Sequence, residues 1–256
     1  MNGGATPAPA FADHFSARAG AYRTSRPGYP DALFAWLAEL PARRDVAWDC
    51  GCGSGQASAS LARHIGHVIA TDPSHAQLAE APPTRGAHYA AALAEAAPLA
   101  DRSVDLILAA QAAHWFDQQA FHREVRRIAR DGAILALVTY GPFTAAGDLG
   151  RALEAFYHGP IHAHWPAERA HVEAGYRTLP FPFAEIEAPA FAMRARWPFE
   201  RLVGYIDSWS AMKGWRAALG RDPLSEVAAE LATVWGPREG RREIRWPLSL
   251  RVGRIR

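Results

Sequence analysis

The residues with the clearest chemical potential in this chain are seven in a row, Asp49-Cys50-Gly51-Cys52-Gly53-Ser54-Gly55. Glycines at alternate positions permit positive φ and let a ligand approach the backbone more closely than a Cβ would allow. Such turns also serve nicotinamide and flavin nucleotides, so the register matters. The dinucleotide fingerprint runs GxGxxG, and here Gln56 occupies the third glycine position of that register. Asp49 adds a negative group just before the loop, which suits a ligand with an ammonium end better than a pyrophosphate. A second carboxylate, Asp72, stands before Pro73 at the end of the next apolar run. There it can accept from both hydroxyls of a ribose, or it can cap a helix together with Ser74.

A second group of residues suggests an acceptor pocket. Gln111 ends another apolar run, and His114, Trp115 and Phe116 follow it. His114 can orient a substrate oxygen, act as general base, or be a hydrogen-bonded structural histidine. Trp115 is read as pocket wall, with the alternative that Trp115 and Phe116 only cap the helix that follows. Before the core, Tyr22, Arg23, Arg26 and Tyr29 combine aromatic faces, which suit a cation, with arginines, which suit a carboxylate. A salt-bridged surface segment is the competing interpretation. Tyr157, Trp165, Tyr176 and Trp209, with Tyr140, are expected to help enclose a small substrate. Cys50 and Cys52 are too close in sequence for an ordinary disulfide and have no cysteine partners for a metal. His158, His162, His164 and His171 lack a clearly spaced acidic or cysteine partner, so no metal is expected.

These groups need a sheet to hold them. Short strands are predicted at Val46–Trp48, His67–Thr71, His88–Ala91, Val104–Ala109 and Ala133–Tyr140. Helices are predicted between them over Gln56–Ile65, Ser74–Ala81 and Phe116–Arg130, after a first helix opening at Asp31. Strands alternating with helices imply an α/β fold with a doubly wound, mostly parallel sheet, here taken as seven-stranded. Residues 142–180 show little clean periodicity. Helical pieces follow near Phe199–Met212 and Leu224–Trp235, then a last strand at Ile244–Val252. The chain divides into an N-terminal segment (1–30), a core (31–141), a cap with helical insertions (142–235) and a C-terminal strand completing the sheet (236–256).

The stretch from Asp49 to Tyr140 resembles the class I S-adenosylmethionine-dependent methyltransferases, in particular their methyltransferase type 11 branch. The glycine loop, the strand ending at Asp72, the segment Ala94–Ile107 and the strand at Ala133 match that pattern in order. Outside the core, Phe11–Phe15, Tyr22–Pro30, Gln111–Phe116 and Tyr205–Ser210 are similar to the trans-aconitate methyltransferase-like group. The resemblance implies that Asp49, Gly51, Cys52, Gly53, Gly55 and Gln56 surround the methionine and ribose part of S-adenosylmethionine. It implies that Asp72 and Pro73 hold the ribose, Ala94 and Glu95 face the adenine, and Gln111 touches the methionine end. Leu93 departs from the pattern, because the family often has an acid there; Glu95 is equally readable as a solvated turn carboxylate. The segment with Tyr22, Arg26 and Tyr29 becomes a lid over the cofactor.

The bulk properties agree with a soluble, cytoplasmic enzyme. A formal net charge of +2 writes no bias toward nucleic acid into the total. Neither a basic groove nor an Asn/Asp-Pro-Pro-aromatic acceptor motif is evident, so a small-molecule acceptor is expected rather than nucleic acid. No apolar run approaches the ~20 residues of a membrane span, and residues 1–10 lack the pattern of a signal peptide. The expected reaction is methyl transfer to a small molecule, with a carboxylate as one acceptor type. A non-catalytic S-adenosylmethionine-binding protein and a nicotinamide-dependent oxidoreductase are the rivals.

Overall fold

The computed structural model describes residues 28–255, so Tyr22 and Arg26 and nearly all of the expected lid lie outside the described residues. The chain enters through Asp31–Glu39 (α1) and reaches the first strand, Val46–Cys50 (β1). Four of that strand's five residues are buried, as expected for a parallel strand covered on both faces. Gln56–Leu61 (α2), His67–Asp72 (β2), His75–Ala79 (α3), Ala87–Ala91 (β3), Val104–Ala110 (β4), Gln118–Ile128 (α4) and Ala129–Tyr140 (β5) follow. The parallel order is β3-β2-β1-β4-β5. Because the order reverses between β1 and β4, the carboxyl ends of these strands open a crevice, the usual ligand position in such sheets.

Helices cover both faces. Leu33, Phe34 and Leu37 of α1 pack with Leu61, Val68, Leu106 and Ile134 on one side. Phe121, Val125 and Ile128 of α4 pack with Trp48, Ile107 and Leu135 on the other. Helix α4 is shorter than predicted at its start, because Asp117 caps it by accepting from the Ala120 N–H at 3.0 Å. At the opposite end of the sheet, Asp105 is 3% exposed and accepts from the Asp45 and Val46 N–H groups, both at 3.0 Å. Arg130 completes this cluster at 2.8 Å.

The later half departs most from expectation. Thr144–Ala145 (β6), Gly147–His158 (α5), Arg169–Glu173 (α6), Ala184–Ile186 (β7), Ala192–Trp197 (β8), Phe199–Asp207 (α7), Ser210–Leu219 (α8) and Leu224–Trp235 (α9) precede the long final strand Arg242–Arg254 (β9). The second half of β9 runs antiparallel to β5 and to β7, giving a central layer of seven strands among the described residues. Its first half pairs instead with β8 and β6. Pro247, which has no N–H for a ladder, sits at the change of partners. The cap is therefore a small antiparallel sheet with helices on it, rather than helices alone. Its core is aromatic, with Phe143, Phe156, Tyr157, Trp197, Tyr205, Trp209, Trp235 and Trp246 in one cluster.

Helix α5 lay hidden in the stretch of weak periodicity, although Leu149, Leu153, Phe156 and Tyr157 share its buried face. Gly147 and Gly150 read as breakers. Gly150 is needed because a Cβ there would stand 2.0 Å from the Ala145 carbonyl oxygen. The predicted helix over 199–212 is two helices, divided at Ser208-Trp209.

Asp105→Ala should leave two strand N–H groups and the Arg130 guanidinium without their acceptor. A loss of about 2–4 kcal/mol is expected in urea unfolding.

Candidate functional site

The loop after β1 is shaped by three left-handed glycines, with φ of 68° at Gly51, 55° at Gly53 and 74° at Gly55. The Gly51 and Cys52 N–H groups donate to the Thr71 carbonyl at 2.8 and 2.9 Å, tying the loop to the end of β2. A Cβ on Gly51 would lie 2.5 Å from the Ala112 Cβ, and one on Gly55 would lie 2.5 Å from the Tyr89 hydroxyl. Gly53 is different: its nearest neighbour would be the Gln77 side-chain oxygen at 3.7 Å. Two glycines are thus closed in by protein, and the third has space beside it. Gln56 begins α2 immediately afterwards.

The two acids are placed unequally. Asp49 is fully buried beneath the loop; its Oδ2 accepts from the Ser58 hydroxyl at 2.5 Å, and its Oδ1 has no partner among the described residues. Burial raises its pKa to about 7, against the Ser58 hydrogen bond, and the neighbouring Asp72 charge raises it further. Asp72 is half-buried; its Oδ2 accepts from the Gly53 N–H and its Oδ1 from the Ser74 N–H, each at 2.9 Å. Those bonds hold Asp72 against the loop. Ser74 itself caps α3, accepting from Gln77 at 3.3 Å. Capping of that helix thus falls to Ser74 rather than to Asp72. Pro73 is half-buried between them. Cys50 and Cys52 are buried thiols whose pKa values are pushed far up by burial, which makes them inert packing residues.

Ala94 is buried after β3, and Glu95 accepts from the Asp117 N–H at 2.8 Å, joining this loop to the start of α4. Leu93 is exposed beside them. Arg127 fixes the same loop, donating to the Ala97 and Leu99 carbonyls and to Glu124, which accepts from the Ala97 N–H.

At the end of β4, Gln111 adopts φ 58°. Its side chain donates to the Tyr140 carbonyl at 2.9 Å and accepts from Thr139 at 3.0 Å. Both ends of that side chain brace β4 to β5. His114 Nδ1 lies 2.7 Å from the Tyr176 hydroxyl. Burial, with the charges of Arg169 and His171, drives its pKa down to about 3, so the imidazole is neutral and weakly basic. The general-base role considered for it loses its main support. Trp115 is partly exposed at the rim, while Tyr140 is buried with Tyr29 edge-on to it at 6.3 Å. Trp209 is 7% exposed and is stacked on Phe156 inside the cap core, where it supports the cap more than it lines a pocket.

The structure brings Asp49, Gly51, Cys52, Gly53, Gly55, Gln56, Asp72 and Pro73 together at the carboxyl ends of β1 and β2. Gln111, His114 and Trp115 stand at the end of β4, and Glu95 ties the loop after β3 to the start of α4. Sequence reasoning missed Ser58 and Tyr89 and the bond between Tyr176 and His114. Ser58 carried a signal, as a polar residue among the inward positions of α2. Among the described residues no group of three or more His, Cys, Asp or Glu is placed to hold a metal, and His171 instead pairs with Thr178. No helix of the described residues is long and apolar enough to cross a membrane.

Comparison with known proteins agrees with this geometry. A family model described as a methyltransferase domain matches residues 48–137. Over 234 residues the chain is 31% identical to a methyltransferase of Dictyostelium discoideum, covering 90% of this chain and 89% of that one. The solved structure of a type II methyltransferase from Anaeromyxobacter dehalogenans is similar with a TM-score of 0.85 and 47% identity, over 90% of this chain and 97% of that one. A malonyl-[acyl-carrier protein] O-methyltransferase of Enterobacter lignolyticus is 40% identical over 108 residues, 41% of this chain and 43% of that protein.

Two variants test the loop. Gly51→Ala, which must accommodate both a left-handed φ and the Ala112 contact, should weaken binding of S-adenosylhomocysteine at least tenfold in calorimetry. For Asp49, the folded protein keeps a proton that the unfolded chain has released between the usual carboxylate pKa and about 7. Its burial therefore costs stability as pH rises through that window, by at most about 4 kcal/mol. Asp49→Asn should raise the melting temperature of the ligand-free protein at pH 8 and lose that advantage near pH 4. A lower melting temperature at pH 8 would contradict the assignment.

Proposed function

The chain belongs to the class I S-adenosylmethionine-dependent methyltransferases, and from that premise we propose that it methylates an oxygen of a small carboxylic acid. The observation that carries this proposal is the state of His114. It faces Tyr176 at 2.7 Å and is held neutral with a pKa of about 3, so it is a poor proton acceptor at the end of β4. An acceptor that arrives already ionised needs none. The O-methyltransferase acting on malonyl-[acyl-carrier protein] is a partial relative, and the Gln111–Phe116 resemblance to the trans-aconitate methyltransferase-like group points the same way.

The residues present fit S-adenosylmethionine. The Gly53 edge is open, the Asp72 carboxylate stands at the end of β2 beside that edge, where an acid can accept from ribose hydroxyls, and Asp49 has an unpartnered buried oxygen beneath the loop. When bound, S-adenosylmethionine supplies a methyl carbon activated by its positive sulfur. The remaining task of the protein is to align the acceptor and exclude water. Asp49 and Asp72 make the loop floor negative, which favours the cationic donor. Ala94 and the 94–97 backbone are assigned to the adenine, Glu95 to fixing that loop, and Gln111 to the methionine end through its backbone. Tyr29, Trp115 and Tyr140 are assigned to the acceptor wall, with Trp209 behind them. The acid attacks with its own electron pair, so no proton has to be moved.

His114→Ala should then change kcat/KM for an acid acceptor by less than about tenfold, whereas loss of a general base typically costs 10²–10⁴-fold. At saturating S-adenosylmethionine, whose positive charge favours ionised Asp49, the pH profile should be flat between pH 6 and 9 in both proteins. A large loss of rate with intact S-adenosylmethionine binding would restore His114 as the base.

A further inference from the structure

Arg169 opens the short helix α6, which packs against residues 113–115 at the end of β4. Its guanidinium carbon lies 4.6 Å from the centre of the Trp165 ring and 5.7 Å from that of Tyr157. Nε donates to the Tyr157 hydroxyl at 2.9 Å, and that hydroxyl donates to Glu173 at 2.6 Å. Glu173 itself stays 4.0 Å away from Nε. The two terminal nitrogens of Arg169 make no hydrogen bond among the described residues, although its side chain is only 21% exposed. The Trp165 indole N–H beside it is buried and likewise has no acceptor among the described residues.

Buried donors without acceptors cost about 1–3 kcal/mol each, a cost recovered when an acceptor arrives. An aromatic shelf holds the guanidinium fork in one orientation, which lowers the entropy lost when it grips a planar anion. The Arg169 charge also reaches His114, which places it near the end of β4.

We propose that Arg169 and the Trp165 indole N–H bind a carboxylate of the methyl acceptor other than the one methylated, an inference that rests on the carboxylic-acid proposal above. A bidentate arginine occupies lone pairs on both oxygens and lowers their nucleophilicity. The gripped group is therefore the handle, and a second carboxylate is presented to the methyl donor. The acceptor class is a small dicarboxylic acid.

The test is calorimetric titration of the full chain, saturated with S-adenosylhomocysteine, with succinate, glutarate, propionate, succinamide and inorganic phosphate. The wild type should bind at least one diacid more tightly than propionate or succinamide. Arg169→Gln should weaken that binding at least tenfold, Arg169→Lys should weaken it less, and neither should change affinity for S-adenosylhomocysteine. The lysine variant carries the comparison if the glutamine variant fails to fold. Equal diacid binding by the variants overturns the role of Arg169 and leaves the carboxylic-acid proposal standing. Phosphate bound more tightly than any diacid overturns the ligand class. A wild type that binds propionate but neither diacid overturns the diacid proposal alone, and one that binds none of these acids overturns both proposals.

Discussion

At Gly51 and Gly55 the backbone has room for hydrogen and nothing larger. Ala112 closes one side of the loop and Tyr89 the other, while Thr71 and Asp72 hold its N–H groups from the end of β2. The loop is thus clamped by Thr71 and Asp72 at the end of β2, Tyr89 in the middle of β3 and Ala112 just beyond β4. That clamping requires the strand order 3-2-1-4, because only then do β2 and β4 flank β1. The rest of the core follows: strands buried on both faces, helices on each side, and the 94–97 loop pinned by Glu95, Glu124 and Arg127 so that it closes one edge of the crevice.

The charged groups divide between the end of the sheet and the cap. The carboxylates lie under and beside the glycine loop. The cation Arg169 opens a cap helix that contacts residues 113–115. The His114 imidazole is kept neutral by burial and by the neighbouring positive charges. Asp49 has a different cost: it is buried with one oxygen unpaired, a strain that a bound cation would relieve.

Much of the core was legible because parallel strands and glycine turns leave strong local patterns. Asp49, Asp72 and the three glycines could be placed from their position at strand ends. Gln111 was placed correctly at the end of β4, but its side-chain partners, Thr139 and Tyr140, come from the next strand and leave no local signal. His114 is similar, since its low basicity comes from burial and from the charge of Arg169, more than fifty residues away in sequence. The cap was the least legible part. Its helix α5 contains glycines that read as breakers, and β8 alternates Met193 and Trp197 with arginines in a segment otherwise rich in proline. Trp209 was read as pocket lining because aromatic residues serve both roles; only the packing on Phe156 shows that it is core.

The central claim is that the methyl group ends on a carboxylate oxygen. Incubation of the protein with methyl-labelled S-adenosylmethionine and a pool of small mono- and dicarboxylic acids, followed by mild alkali, tests it directly. A methyl ester hydrolyses, so the account predicts that the transferred label is released as volatile methanol. Label that stays in a base-stable product, as in a methylated amine, carbon or ether, would contradict it.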